Sequence, residues 1–261
     1  MLADAVGDDS GQFLMPSQSP KPAGTGARRL LAPKWHTAGL IGILVLAVVF
    51  GAWFQRQGGP KSGLAPDHRS VIGIYVTALL LDWALFYYVW AFASRSGTTF
   101  QQIVGGRWAD AKSIARDVAI AIPFWVVWQA TALLMHRLLG PNTAKSIGSL
   151  LPQGPSEIAV WIAVCATAGF CEEFVFRGYL QQQLQAWTGR TTLALLIQSV
   201  CFGIAHAYQG IKNVVVITML GALYGLLALW RRSTRPGMLA HAWSDVYGGL
   251  RMQFLSRLLP F

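Results

Sequence analysis

Apolar runs recur along this chain at close to membrane-spanning length. They occupy residues 37–54, 71–93, 114–139, 157–187, 191–208, 212–230 and 236–257. A helix needs roughly 20 apolar residues to cross a ~30 Å hydrocarbon layer, so the pattern predicts an all-α, polytopic transmembrane helical bundle of about seven spans. Trp35 and Trp53 bracket the first run and Trp230 closes the sixth, where indole rings suit a membrane interface. The fourth run is too long for one straight crossing, and its second half carries Gln181, Gln182, Gln183 and Gln185. That half is expected to leave the bilayer as an interfacial helix. The fifth run is short and reads as a semi-buried helix. The C-terminal stretch holds Arg251 and Arg257 and is expected to lie on the membrane surface. Residues 1–34 are polar and rich in Pro, Gly and Ser, with no basic segment leading into an apolar one. They predict a disordered tail and not a signal peptide.

Composition agrees with the pattern. Of 261 residues, 54% are hydrophobic and only 12% charged, about half the charged share of an ordinary soluble domain. The mean hydropathy is +0.43. The net charge of +10 raises the question of nucleic acid, but the basic residues flank apolar runs and do not gather on one soluble face. Twelve of them (Lys21, Arg28, Arg29, Lys34, Arg95, Arg107, Lys112, Arg116, Arg190, Arg231, Arg232 and Arg235) fall on the side of the N-terminus, against eight on the other. This bias favours a cytoplasmic N-terminus. Three cysteines, Cys165, Cys171 and Cys201, lie in apolar stretches and offer neither a disulfide framework nor a CxxC pattern.

Charge inside an apolar run costs at least ~2.5 kcal/mol at mid-depth, so each such residue is a functional candidate. The candidates are Asp82, Glu172, Glu173, Arg177, His206, His241 and Asp245. Only three glutamates occur in the chain, and two of them are adjacent in one apolar run. On a helix Glu173 and Arg177 share a face and can pair. Glu172 is turned about 100° away with no local cation, which makes it the better candidate for general acid–base work. His241 and Asp245 repeat the four-residue spacing, by which a carboxylate can orient an imidazole. His206 closes the fifth run without a charged neighbour. Asp82 has no partner at helical spacing and reads as a contact to another helix or a residue on a substrate path. His36, His68 and His136 stand at run ends or in loops and look incidental.

Three motifs now stand in order on successive apolar segments. Glu172-Glu173-Phe174-Val175-Phe176-Arg177 matches EExxxR, Phe202-Gly203-Ile204-Ala205-His206 matches FxxxH, and His241-Ala242-Trp243-Ser244-Asp245 matches an HxxxN/D-type motif. Over residues 150–250 the chain resembles the CPBP family of intramembrane endopeptidases: CAAX prenyl proteases and bacteriocin-processing or immunity proteins with the Abi domain. The resemblance implies helices 35–140 as an N-terminal transmembrane part, 150–250 as the catalytic helical core, and 251–261 as an interfacial end. It implies Glu172 as the catalytic glutamate, His206 and His241 as its partners, Asp245 in a position often filled by Asn, and Glu173 and Arg177 in support. An ionised Asp cannot donate a hydrogen bond to an oxyanion as Asn can, so Asp245 is expected to orient His241 or ligate a metal.

The implied reaction is attack of a Glu172-activated water, assisted by His206, on a peptide carbonyl. His241, oriented by Asp245, then stabilises the oxyanion or protonates the leaving amine. Glu172, His206 and His241 also form a feasible zinc set, but there is no HExxH, and a metal-free glutamate mechanism is favoured, with no cofactor expected. The expected partners are the lipid bilayer and a membrane-embedded or lipidated protein substrate, with no nucleic acid. The expected location is a bacterial inner membrane. No GxS nucleophile motif stands within an apolar run and no GxGD occurs, as other intramembrane proteases would require, and no inverted repeat supports a transporter. The alternative reading is a non-proteolytic immunity or scaffold protein of the same family.

Overall fold

The computed structural model describes residues 29–56, 68–140 and 151–258. The expected tail, apart from its last six residues, and the final three residues lie outside them. The described chain is all helical, with no strand among its residues. Its helices are α1 (Lys34–Arg56), α2 (His68–Arg95), α3 (Phe100–Val104), α4 (Ala111–Leu139), α5 (Pro155–Glu172), α6 (Gln182–Thr188), α7 (Thr191–Ala205), α8 (Ile211–Arg231) and α9 (Arg235–Leu258). A π-helical stretch, Glu173–Gln181, joins α5 to α6 without a break, and a 3₁₀ turn, Ala207–Gln209, leads from α7 to α8.

Local sequence sets the helix starts. Asp110 and Ser113 form a reciprocal capping box that opens α4, with Ser113 N–H donating to the Asp110 carboxylate at 2.7 Å. Pro155 takes the first position of α5, where its missing N–H costs nothing. The Glu157 carboxylate in that first turn accepts from Gln153 N–H at 2.7 Å.

Among the described residues, four helical stretches are long and apolar enough to cross a membrane: Val71–Arg95, Ala111–Leu139, Pro155–Thr188 and Ile211–Arg231. Lys34–Val49 and Thr191–Ala205 are apolar but shorter, and α9 is not among the four, so the count of about seven spans stands at four by these measures. On α4 Ile122, Val126, Leu133 and Leu138 are exposed, as are Leu80, Leu81 and Tyr87 on α2. Water would not tolerate apolar faces of this extent, whereas lipid would cover them. Trp35, Trp53 and Trp230 are also outward-facing, as interface anchors require.

The polar half of the fourth run does not leave the bundle. Gln181 and Gln183 are buried, and their amides satisfy backbone groups of other elements. Gln183 accepts from Leu31 N–H at 2.7 Å, Gln181 donates to Gly225 O at 3.1 Å, and Gln182 donates to Ile103 O at 2.9 Å. The expectation of an interfacial helix is therefore corrected: glutamine here serves the interior, where unpaired backbone groups would be costly. His36 is likewise not incidental. It is fully buried, hydrogen-bonded to the Tyr179 hydroxyl at 2.7 Å and stacked on Tyr88.

Helices α7 and α8 pack through small residues. A Cβ at Gly221 would meet Phe202 Cδ1 at 3.0 Å, and one at Gly225 would meet Gln181 Oε1 at 2.7 Å. This close approach follows the small-xxx-small rule of membrane helices, and it bares the Gly221 and Gly225 carbonyls to buried side chains.

Candidate active site

The three motif segments meet in the interior of the bundle. His241 lies at the centre. Its Nδ1 donates to Glu173 Oε1 at 3.1 Å, while its Nε2 stands 3.7 Å from Glu172 Oε2 and 3.6 Å from Asp245 Oδ2. Glu173 Oε1 only accepts, so Nδ1 is the donor in that bond, while Nε2 stands in ion-pair range of two carboxylates without a hydrogen bond to either. It stacks on Tyr224, with centroids 5.1 Å apart, and meets Phe202 edge-on.

Two adjacent residues of one helix thus reach the same imidazole, one at each nitrogen. The π-helical stretch starts at Glu173, between α5 and the rest of the motif. Such bulges re-aim side chains within an otherwise regular helix and recur at functional sites. Glu173 and Arg177 form the ion pair expected from their spacing. Arg177 Nη1 donates to Glu173 Oε1 at 2.8 Å, both side chains being fully buried. Arg177 Nη2 donates to Gly221 O at 3.2 Å, and its guanidinium lies over the rings of Phe202 and Tyr224. The buried guanidinium thereby meets a carboxylate, a carbonyl and two π faces, while its Nε has no hydrogen-bond partner.

The orienting group of His241 differs from the one expected. Asp245 is in ion-pair range of Nε2, but the hydrogen bond that fixes the ring runs from Nδ1 to Glu173. Glu173 reaches it because the ring spans the gap between α9 and the long helix. Asp245 stands instead on the half-buried, accessible side beside Glu172.

His206 follows the last residue of α7, half-buried. Its Nδ1 donates to Phe202 O at 2.8 Å, which leaves Nε2 as the nitrogen with a free lone pair in the neutral ring. The ring also meets Phe202 and stacks on Tyr208. It stands within electrostatic reach of Asp245. Asp82 arrives from α2, one turn before Phe86, which packs on Phe170 and Phe174 around the glutamate pair. Asp82 lies within electrostatic reach of Glu172, His241 and Asp245.

A zinc ion would draw on Glu172, His206 and His241. The fit is poor: among the described residues no three His, Cys, Asp or Glu side chains are grouped to hold a metal ion.

Sequence reasoning missed three contributors. Tyr224 forms one wall of His241, and nothing in its local sequence marks it. Gly169 lets α9 lie against α5: a Cβ there would stand 2.7 Å from Ala242 N and 2.8 Å from Met238 O. Asp117, fully buried near the start of α4, pairs with Arg235 at 3.2 Å. It falls three residues inside the run 114–139, and that placement was the available signal.

Comparison with known proteins meets this geometry at the same segment. A family model described as type II CAAX prenyl endopeptidase Rce1-like matches residues 154–247. No curated protein and no solved structure matches the chain. The matched segment runs from the start of α5 to just past Asp245 and contains all three motifs, so over this stretch the chain is similar to type II CAAX prenyl endopeptidases.

Proposed function

We propose that the chain is an intramembrane endopeptidase that hydrolyses a peptide bond in a membrane-associated, CAAX-type lipidated protein, using Glu172 as general base. The observation that carries this reading is the convergence of Glu172 and Asp245 on His241 Nε2, within 3.7 Å, inside an apolar bundle. Elsewhere such charges would be too costly to keep.

In this reading Glu172 takes a proton from the attacking water, with the free Nε2 of His206 as the second acceptor. His241, fixed through Nδ1 by Glu173, presents Nε2–H to the developing oxyanion and then to the leaving amine. Arg177 holds Glu173 in place through their buried ion pair. Asp245 and Asp82 add negative charge at the accessible side. No step runs through a metal ion.

The test uses the purified full chain in detergent against farnesylated, geranylgeranylated and unmodified C-terminal peptides. Glu172→Gln should abolish cleavage while the fold persists. Undiminished cleavage by Glu172→Gln would sink the mechanism. No cleavage of any peptide by the wild-type chain would favour the non-proteolytic reading.

A further inference from the structure

Asp117 sits on α4, outside the segment that carries the motifs, and its carboxylate is fully buried. Trp108 Nε1–H donates to its Oδ2 at 2.8 Å, and Arg235 Nε lies 3.2 Å from the same oxygen. Oδ1 faces Arg116 at 3.7 Å and Arg231 at 4.0 Å. One buried carboxylate therefore gathers three guanidinium groups, from α4 itself, from the end of α8 and from the start of α9.

Arg235 is the first residue of α9, and His241 follows six residues later, about 9 Å along the helix axis. Between Arg231 and Arg235 the chain turns in three residues. That turn is docked on the segment after α3: Ser233 Oγ and Thr234 N–H both donate to Val104 O at 3.0 Å. Gly105, at φ +77°, makes the docking possible, since a Cβ there would meet Ser233 Cα at 2.6 Å. Arg235 completes the clamp by donating to Arg107 O and, at 3.1 Å, to Ser233 Oγ.

We propose that Asp117 is a positioning residue for His241: through Arg235 it holds the first turn of α9, and so sets the imidazole against Glu172 and Glu173. This role rests on the reading of Glu172 and His241 as catalytic. The physical argument is charge balance at a helix start. Without the carboxylate, the buried Arg235 and the part-buried Arg231 repel one another in a site with little water, whereas Arg116 is exposed, and the group free to yield is the first turn of α9. A rigid helix passes that displacement to His241, whose contacts with the glutamates tolerate little of it.

The experiment compares Asp117→Asn, Arg235→Lys and Arg116→Gln in the full chain. Asn keeps the shape of Asp and an acceptor for Trp108, and Lys keeps the charge of Arg235. Arg116 touches the same carboxylate but belongs to α4, so its loss should not reach α9. Amide hydrogen exchange over residues 235–244 should speed up in Asp117→Asn, less so in Arg235→Lys, and stay unchanged in Arg116→Gln. Peptide cleavage should show kcat lowered on the order of 10- to 100-fold in Asp117→Asn, with KM held within about twofold. If Asp117→Asn does not fold, Arg235→Lys carries the comparison. Unchanged exchange over 235–244 in the variants that fold would overturn the proposal. So would equal effects from Arg116→Gln, or a raised KM at constant kcat. If the wild type cleaves nothing while exchange still responds, the clamp stands and the protease reading falls.

Discussion

Arg177→Met tests what holds the centre of the molecule. The substitution removes the guanidinium paired with Glu173 while keeping a side chain of similar length in the same pocket. It leaves a fully buried carboxylate without its 2.8 Å partner, holding only the hydrogen bond from His241 Nδ1. Breaking a buried pair from one side costs about 3–5 kcal/mol, more than the pair itself contributes, because the survivor stays charged in an apolar site. Loss of the two cation–π contacts adds ~0.5–2 kcal/mol each, offset in part by the thioether packing on the same rings. A chain of this size shifts its melting temperature by roughly 2–4 °C per kcal/mol, so a fall of about 6–20 °C is expected. The assay is thermal unfolding of the purified protein at one scan rate in one detergent. The double variant Glu173→Gln with Arg177→Met removes both charges and should recover several degrees, since the two sites are coupled. A melting temperature unchanged by Arg177→Met, or losses that simply add in the double variant, would refute the reasoning.

Other substitutions separate chemistry from packing. Glu172→Gln should lower kcat by on the order of 10²–10⁴ with little change in melting temperature, because Glu172 is half-buried and braces nothing. Asp245→Asn should retain cleavage, since Glu173 and not Asp245 fixes His241; complete loss with an intact fold would assign Asp245 a direct role. Gly169→Val forces α9 off α5 at a contact now 2.7–2.9 Å from a Cβ, and should destabilise the chain by about 1–3 kcal/mol and depress kcat together. His36→Phe, which strips the Tyr179 hydroxyl of a buried partner, should cost roughly 1–3 kcal/mol in unfolding and leave KM unaltered.

The site was legible where chemistry left a local mark. Glu172, Glu173, Arg177, His241 and Asp245 declare themselves because charge in an apolar run has few explanations, and helical spacing pairs Glu173 with Arg177 unaided. The identity of the group that orients His241 was not legible, because it depends on how α9 lies across the long helix. A carboxylate four residues away is the nearest in sequence, yet the one 68 residues away makes the hydrogen bond. The glutamines of 181–185 misled for a related reason. Polarity predicts contact with water only when no backbone group elsewhere needs a partner, and here Leu31 and Gly225 do. Tyr224 carries no local signal at all. Its role exists only because Gly221 and Gly225 bring α8 close enough for the ring to lie against His241.

The seam between α5 and α9 also restricts how a peptide reaches Glu172. At Gly169 the two backbones touch without an intervening side chain, and farther along Gly249 lies against Trp161, where a Cβ would stand 2.5 Å from the indole nitrogen. An extended peptide needs about 4.8 Å on each side to lie beside another backbone. No such lane exists along this seam, so in the proposed reading a scissile bond would reach Glu172 from outside it. In that reading substrate preference would be set by side chains outside the seam, and not by those packed into it.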